Sequence, residues 1–383
     1  MRAVMFYHSV VSDWNHRDAH FLRGVVTEMM ARGHDVTVFE PKDGWSRQCL
    51  ITEHGREALR KFRRAYPHIS YSYYNTDNIN LDDALDGAEL VMVHERSERA
   101  LVSKIGEHRK KKGRYKLLFH DAHRRTLARP DSMPGFDLSG YDGVLAYGAA
   151  IRDLYLSRGW ARDAWVWREA ADVRIFRPLN DKEPWGDVVF IGDWGAGERQ
   201  AGILEFLALP VKALGLKARV YGVGYPEEAK RELLKAGIEY GGWLPNFEVP
   251  QVFSRYKMTI HIPERPYSSA LAGIPTIEPF EALACGIPMI SAPWNESEGL
   301  FAEGQDYLGA KDGKEMTALM AELTADPHLR ERLSEHGLMT VLTRHTCGHR
   351  VNELMNVLMK VSGACRVARV KKVVGEKRLA SAR

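Results

Sequence analysis

The sequence has little cysteine. It contains four cysteines in 383 residues, and no two of them form a Cys-x-x-Cys pair. They stand at Cys49, Cys285, Cys347 and Cys365. Disulfide frameworks are typical of short secreted chains in which cysteines are dense. We therefore interpret all four residues as free thiols, which fits a protein of the reducing cytoplasm.

The sequence also lacks a long apolar run. A helix that spans a bilayer needs about 20 consecutive apolar residues, and no comparable stretch occurs here. Residues 1–11 carry a single charge, at Arg2, and lead directly into Asp13. They lack the basic start, the apolar centre and the small-residue cleavage site of a signal peptide. We interpret them as a first buried strand, and we expect no transmembrane segment and a cytoplasmic location.

A strong charge of one sign is missing from the body of the chain. The net charge is +4, but the tail 366–383 contains seven Lys and Arg residues against one acid, Glu376. The tail therefore accounts for more than the whole positive charge, and the rest of the chain has no basic field for nucleic acid. We interpret the tail as a disordered, solvated end, with peripheral contact to an anionic membrane or polymer as the alternative.

Short apolar runs alternate with amphipathic stretches along the whole chain. In the first part, the pattern predicts strands over 2–8, 34–40, 88–94, 115–121, 141–147 and 164–168, and helices over 19–32 and 150–158. In the second part, it predicts strands over 187–191, 218–222, 239–243, 258–262 and 288–292, with helices over 198–214, 227–236, 248–255, 276–284 and within 313–362. Such alternation is typical of α/β domains with a parallel sheet covered on both faces.

Residues 172–186 interrupt this alternation with three residues that end regular structure, Pro178, Pro184 and Gly186. We therefore predict two doubly wound domains, over 1–171 and 187–348, joined by the linker 172–186. A C-terminal helix over 349–365, which returns to the first domain, would precede the tail. Ligands of open α/β sheets bind at the carboxyl ends of the strands, so we expect a cleft between the two domains.

The segment 275–288, PTIEPFEALACGIP, contains the most informative pattern in the chain. It predicts a short helix in which Glu278 and Glu281, three residues apart, share one face near the start. Cys285 and Gly286 would end the helix, because glycine adopts the left-handed conformation readily. Carboxylates at a cleft can accept hydrogen bonds from ribose or sugar hydroxyls. The alternative is a capped core helix whose acids simply suit its dipole.

Several segments resemble those of one enzyme family. PFEALACGIPMIS at 279–291, APWNESEGLF at 292–301 and EGQDYL at 303–308 are similar to the donor-site region of GT-B glycosyltransferases. HSVVSDWNHRDAHFLRGV at 8–25 and LLFHDAHRRT at 117–126 resemble the CgeB-like, spore-maturation branch. The resemblance implies two Rossmann-like domains that face a central cleft. It also implies sugar transfer from a nucleotide-sugar donor, with retention of configuration and no cofactor or dedicated metal ion.

The resemblance also assigns roles to individual residues. Glu281 would hold the ribose hydroxyls, and His120, with Asp121 beside it, would contact the transferred sugar. The remaining donor-side expectations are Gly192, Asp193 and Trp194 at the diphosphate, Trp243 and Leu244 at the base, and Glu278, Phe280 and Gly286 in the donor segment. Asn15, His16 and His123 would lie on the acceptor side. Since the basic residues of the family pattern are absent at 193 and 198, Arg199 and Arg265 are our own candidates for neutralising the leaving diphosphate. The acceptor itself is not identified: a glycan, a small molecule and a protein all stay open.

Departures from the family pattern leave other functions open. Many retaining relatives have an acid eight residues before the conserved Glu, where this chain has Gly273. Relatives also often have a Gly-Arg pair at 192–193 and a Lys near 198, where this chain has Asp193 and Glu198. A catalytically silent nucleotide-sugar-binding protein is therefore one alternative, and a sugar-nucleotide epimerase, which can share this architecture, is another. No Asp-x-Asp motif occurs, and we interpret the sequence HDAH at 120–123 as a strand end and not as a set of metal ligands.

Overall fold

The computed structural model describes residues 1–14, 18–122, 135–179, 183–195, 197–263, 275–294 and 296–380, with side chains described to residue 363. The strands are β1 Arg2–Phe6, β2 Asp35–Pro41, β3 Ser70–Tyr74, β4 Leu90–His94, β5 Lys116–Asp121, β6 Gly143–Ala146, β7 Ala164–Val166, β8 Gly186–Ile191, β9 Ala218–Tyr221, β10 Ile238–Tyr240, β11 Tyr256–His261, β12 Met289–Ser291 and β13 Leu308–Gly309. The helices are α1 Asp18–Ala31, α2 Trp45–Ala65, α3 Leu81–Ala84, α4 Arg99–Lys111, α5 Ala149–Ser157, α6 Glu198–Ile203, α7 Leu209–Leu214, α8 Glu227–Lys235, α9 Val249–Phe253, α10 Ile277–Ala284, α11 Gly313–Ala325, α12 Pro327–Arg344 and α13 Cys347–Ala380. A π-helical turn over Leu204–Ala208 joins α6 to α7, and a 3₁₀ turn over Asn246–Glu248 precedes α9.

The described strands form two parallel sheets of the same topology. The first has the order β3-β2-β1-β4-β5-β6-β7, and the second has the order β10-β9-β8-β11-β12-β13. In each sheet the order reverses beside the first strand of its domain, between β1 and β4 and between β8 and β11. Open α/β sheets bind ligands at such switch points, outside the carboxyl ends of the strands. The fold is therefore α/β with two Rossmann-like domains, as the sequence predicts.

Continuous apolar sequence explains the central strands. β1 (RAVMF), β4 (LVMVH) and β5 (KLLFHD) each contain a run of three or four apolar residues, and nearly every residue in them is buried. Strands covered by helices on both faces have this character. β3, with the sequence SYSYY, lies at the edge of the first sheet and is mostly exposed. Its lack of an apolar run explains why sequence periodicity does not predict it.

Packing across the domain boundary makes one continuous core. The largest cluster of buried side chains includes Met5 and Val25 of the first domain together with Phe280 and Leu354 of the second half. The two other clusters fill the far face of each sheet. The domains therefore meet through apolar contacts as well as through the polar contacts described below.

Helix α13 packs against α1 of the first domain. Arg32, directly after α1, donates two hydrogen bonds to α13, to Asn352 and to the carbonyl of Gly348. The Trp167 indole donates to the carbonyl of Arg350 in the same helix. The structure continues this helix to Ala380, where the sequence predicts a disordered tail from 366. That region has no proline, and its Ala, Lys, Arg and Glu residues favour helix.

Two further sequence expectations concern cysteines and the membrane. Cys49, Cys285 and Cys347 are free thiols, and burial raises the pKa of both Cys285 and Cys347 well above the usual value. Cys365 lies beyond the described side chains. Within the part of the chain that the structure describes, no helix has the length and apolar content that a bilayer span requires.

Candidate active site

The first domain contributes a cluster of aromatic and histidine rings at the carboxyl ends of neighbouring strands. His94 ends β4 and pairs in register with His120 of β5, while Tyr7 follows β1 directly. The rings of Tyr7 and His94 are 4.8 Å apart, and those of His94 and His120 are 5.4 Å apart. The parallel register of three adjacent strands thus brings these side chains to one edge of the sheet.

His120 is a neutral imidazole in this cluster. It is 2% exposed, and its ring packs 4.8 Å from that of Trp167. Nδ1 lies 2.8 Å from the hydroxyl of Tyr7, and Nε2 is buried with no hydrogen-bond partner among the described residues. Burial lowers the pKa of His120 to about 3, because the charged form loses its hydration. A buried, unpaired ring nitrogen is rare, and a hydroxyl of a bound ligand would satisfy it.

Asp121 follows His120 directly at the end of β5. Successive side chains of a strand point to opposite faces of the sheet, and Asp121 accepts a hydrogen bond from Tyr155 of α5 at 2.8 Å. The hydrogen-bond partner of His120 in the structure is Tyr7, and the expected contact of Asp121 with the transferred sugar stays a prediction. Sequence reasoning missed Tyr7, although its position after β1 places it at the same edge.

In the second domain, Glu278 and Glu281 share one face of α10, as their spacing predicts. Both line a cavity of about 20 Å³ that is also bordered by Arg199 and His261. The cavity lies at the carboxyl ends of β8 and β11, which is the switch point of the second sheet. A volume of this size corresponds to about one water molecule.

The end of α10 also follows the sequence prediction. Cys285 caps the helix in a helical conformation, and Gly286 follows with φ 65°, in the left-handed region. Gly286 therefore ends the helix. Phe280 is completely buried and packs against the rings of Phe301 and His345, at 5.0 Å and 5.7 Å. Its role is in the core, which differs from the expected contact with the donor.

Glu281 is held from both domains. Its Oε1 accepts a hydrogen bond from His20 Nδ1 at 2.8 Å and another from Asn246 Nδ2 at 2.6 Å. His20 belongs to α1 of the first domain, whereas Asn246 precedes α9 of the second. The carboxylate is 2% exposed. Sequence reasoning missed both partners, since a single sequence does not reveal a contact between residues 261 positions apart.

Arg199 brings a positive charge to the cavity, but its guanidinium already contacts other groups of the protein. Its guanidinium donates to the carbonyl of Ile262, lies 3.9 Å from the Asp193 carboxylate and packs over the ring of Phe190. Arg199 is thus well placed to meet an anion at the ends of β8 and β11. The Asp193 carboxylate would compete with such an anion for the Arg199 guanidinium.

The loop Gly192–Trp194 is fixed by its neighbour, the loop after β9. The amide of Gly192 donates to the carbonyl of Tyr221, and the amide of Trp194 donates to that of Val223. These two amides are therefore already bonded within the protein, and the expected contact of this loop with a diphosphate stays a prediction. The Trp194 side chain is 7% exposed and packs in the second-domain core, so that it differs from the expected donor contact.

Replacing Gly222 by alanine is expected to destabilise this loop pair strongly. Gly222 has φ 153°, and a Cβ there would overlap the carbonyl oxygen of Gly192. Because that obstacle is backbone, we expect a loss of about 3 kcal/mol or more in the free energy of unfolding. Gly224→Ala is the matched control, since φ is also positive there but no atom lies within 4 Å of the added Cβ. Urea unfolding of both variants measures the difference, and equal losses would contradict the predicted backbone overlap.

Trp243, expected at the base, stacks on a residue of the first domain. Its ring lies 4.5 Å from that of His54 of α2, with an interplanar angle of 27°. The indole Nε1 is buried and has no partner among the described residues. Leu244 is half-buried against the largest apolar cluster. The indole N–H of the stacked Trp243 ring could therefore donate a hydrogen bond to a polar atom of a ligand.

Four sequence-predicted residues, Asn15, His16, His123 and Arg265, lie outside the described residues. Their expected roles at the acceptor and at the diphosphate therefore stay predictions. Among the residues that the structure describes, no group of three or more His, Cys, Asp or Glu side chains is arranged to bind a metal ion.

Comparison with known proteins supports the fold and the character of the second domain. Residues 199–356 match the family model described as glycosyl transferase-like. A search of curated proteins by sequence found no significant match.

Solved structures of similar fold cover nearly the whole chain. The Anabaena protein Alr3699/HepE in complex with UDP has a TM-score of 0.64 and 13% identity, over 94% of this chain and 100% of that chain. Sucrose-phosphate synthase from Thermosynechococcus elongatus has a TM-score of 0.61 and 13% identity, over 95% and 100%. T4 phage BGT in complex with UDP-glucose has a TM-score of 0.57 and 14% identity, over 94% and 99%. The chain therefore has the GT-B fold, and its second domain contains a glycosyl transferase-like region.

Proposed function

We propose that the protein is a glycosyltransferase that transfers a sugar from a nucleotide-sugar donor to an acceptor. The observation that carries this proposal is the grouping of Glu278, Glu281 and Arg199 around a cavity that has room for about one water molecule in this structure. It combines carboxylates for hydroxyl groups with a cation for phosphate, and it lies at the switch point of the sheet in the glycosyl transferase-like region. Two of the similar solved proteins bind UDP or UDP-glucose, so a uridine nucleotide is the first donor to test.

The proposed chemistry follows from where charge develops. Cleavage of the glycosidic bond places negative charge on the departing phosphate oxygen, and a cation fixed in a dry site stabilises that charge. Arg199 is the described residue with this role, and Glu281 would accept hydrogen bonds from the ribose. His120, neutral and with an unused Nε2, would hydrogen bond to the sugar from the first domain. We propose a retaining, metal-independent reaction on the basis of the family resemblance.

Two observations favour a second function, that of a nucleotide-sugar-binding protein without turnover. The Asp193 carboxylate lies 3.9 Å from the Arg199 guanidinium, and the amides of Gly192 and Trp194 are already bonded. Both features reduce the positive potential available to a departing diphosphate. A protein of this kind would bind the donor yet release no product with any acceptor.

A thermal-shift screen against nucleoside diphosphates and their sugars tests both functions. We expect one nucleotide series to stabilise the protein selectively, because a ligand at 100 times its dissociation constant adds about 2.7 kcal/mol to the free energy of unfolding. The selected donor is then incubated alone and with acceptor mixtures, and released nucleoside diphosphate is measured. Release supports the transferase, and binding without release supports the silent protein. No shift with any nucleotide at millimolar concentration would contradict both.

A further inference from the structure

His20 is completely buried between two hydrogen-bond partners from different parts of the chain. Its Nε2 lies 2.8 Å from the backbone nitrogen of Asp172, and its Nδ1 lies 2.8 Å from Glu281 Oε1. The imidazole stacks on Phe176, with 3.9 Å between the ring centroids and an interplanar angle of 11°. Three contacts thus fix the ring in position and in plane.

These contacts determine the tautomer of His20. A backbone N–H can only donate, so Nε2 accepts from Asp172 and carries no proton. Nδ1 therefore carries the proton of the neutral ring and donates it to the carboxylate of Glu281. Interactions of this kind, in which a second residue sets the orientation of a functional one, are common in binding and catalytic sites.

The same carboxylate oxygen is fixed a second time from within its own domain. Asn246 Nδ2 donates to Oε1, and the backbone amide of Asn246 donates to Asp13 Oδ2, which also pairs with Arg23 at 2.8 Å. Oε1 thus receives two donors, whereas no hydrogen bond from a described residue reaches Oε2. A carboxylate oxygen has two lone pairs, so Oε2 retains the capacity to accept from a ligand.

We infer that His20 is a positioning residue for ribose recognition, which turns the Glu281 carboxylate so that Oε2 meets the ribose hydroxyls of the donor. This inference rests on the proposed function. His20 lies in the first domain and Glu281 in the second, so the part of the alignment that His20 provides exists only when the two domains are in contact. The specificity of nucleotide binding in one domain therefore depends on a side chain of the other.

The experiment compares ribose and deoxyribose forms of the same nucleotide. Binding of UDP, ADP and GDP, each paired with its 2′-deoxy form, is measured by calorimetry for the wild-type protein and for His20→Leu and His20→Gln. Leucine removes the donor, whereas the amide of glutamine can donate to Glu281 and accept from Asp172. Lys61→Met is the matched control, since it breaks a contact between the domains, Lys61 to Glu248 at 2.9 Å, without touching Glu281.

For the nucleotide that binds, we expect the wild type to prefer the ribose form by about tenfold or more, the value of one hydrogen bond to a charged group. His20→Leu should lose most of this preference, and His20→Gln should restore it. Lys61→Met should change both affinities by the same factor. Thermal unfolding measurements identify any variant that does not fold. If His20→Leu does not fold, the test rests on His20→Gln. Loss of the ribose preference in His20→Gln, or no ribose preference in the wild type, would overturn the inference.

The result distinguishes this inference from the proposed function. If the wild type binds a nucleotide with a ribose preference that His20→Leu keeps, the role of His20 is wrong while the proposed function stands. If the wild type binds no nucleotide of any base, the proposed function and this inference both fail.

Discussion

His120→Ala is expected to lower the rate of sugar transfer by about 10²–10³-fold, the usual cost of removing one fixed hydrogen-bonding group from a reaction centre. The imidazole is neutral and buried, and its Nε2 has no partner among the described residues. Alanine would leave a cavity with nothing to hydrogen bond to the sugar. The measurement is the steady-state release of nucleoside diphosphate, with the donor that the thermal-shift screen selects.

A second histidine in the same domain provides a matched control. His108 of α4 also pairs with a tyrosine, with 3.0 Å between its Nδ1 and the hydroxyl of Tyr115, but it lies away from the strand ends. His108→Ala therefore removes a comparable pair without approaching the proposed site, and it should keep the rate. A His120→Ala protein that folds and transfers sugar as fast as the wild type would refute the role of His120.

Tyr7→Phe tests how much the orientation of the His120 ring contributes to the rate of transfer while the ring itself is kept. This change removes the hydroxyl that lies 2.8 Å from Nδ1 but keeps the ring that packs on His94. We expect a smaller loss of rate than for His120→Ala, because the imidazole stays in place and loses only the hydrogen bond that orients its ring. An effect on the rate, with donor affinity unchanged, would show that Tyr7 acts through His120.

The sequence predicts the features that depend on local periodicity. The alternation of strands and helices predicts two α/β domains, the three-residue spacing predicts a shared face for Glu278 and Glu281, and the glycine at 286 predicts the end of α10. Each of these depends on residues that are close together in the chain. Strand periodicity would also have separated His120 from Asp121, since neighbours in a strand face opposite sides of the sheet.

The contacts that shape the candidate site are not local. His20 meets Glu281 across the domain boundary, and Trp243 stacks on His54 of the other domain. Neither pair has a sequence signal, because each forms only after both sheets have assembled and the domains have packed. Family resemblance likewise assigns Phe280 and Trp194 to the donor, whereas the structure buries both rings in apolar cores. A motif therefore identifies the segment near a ligand, but not which of its side chains face that ligand.

Two buried histidines are expected to make the protein less stable in mild acid. Burial lowers the pKa of both His120 and His345 to about 3. His345 is also fixed as a neutral tautomer, because Arg350 donates to its Nδ1 at 3.1 Å and its Nε2 then donates to the carbonyl of Leu300. A proton added at Nδ1 would face the guanidinium of Arg350, which is why this ring resists protonation in the folded state.

The direction of the effect follows from proton uptake. In the unfolded chain a histidine takes up a proton near pH 6.5, whereas the folded protein does not protonate these two until about pH 3. The unfolded state therefore binds more protons between these values, and the free energy of unfolding falls as the pH is lowered through that range. At pH 5 each histidine is expected to contribute a loss of about 2 kcal/mol relative to pH 8.

His345→Gln isolates one of the two contributions. Glutamine can accept from Arg350 and donate to Leu300, so the folded contacts have a replacement that does not titrate. Urea unfolding at pH 8 and pH 5, at equal ionic strength, should show a pH-dependent loss about 2 kcal/mol smaller in this variant than in the wild type. The comparison between proteins cancels the titration of distant carboxylates, which affects both equally. An identical pH dependence in the two proteins would mean that His345 titrates in the folded state as it does in the unfolded chain, and that Arg350 does not keep it neutral.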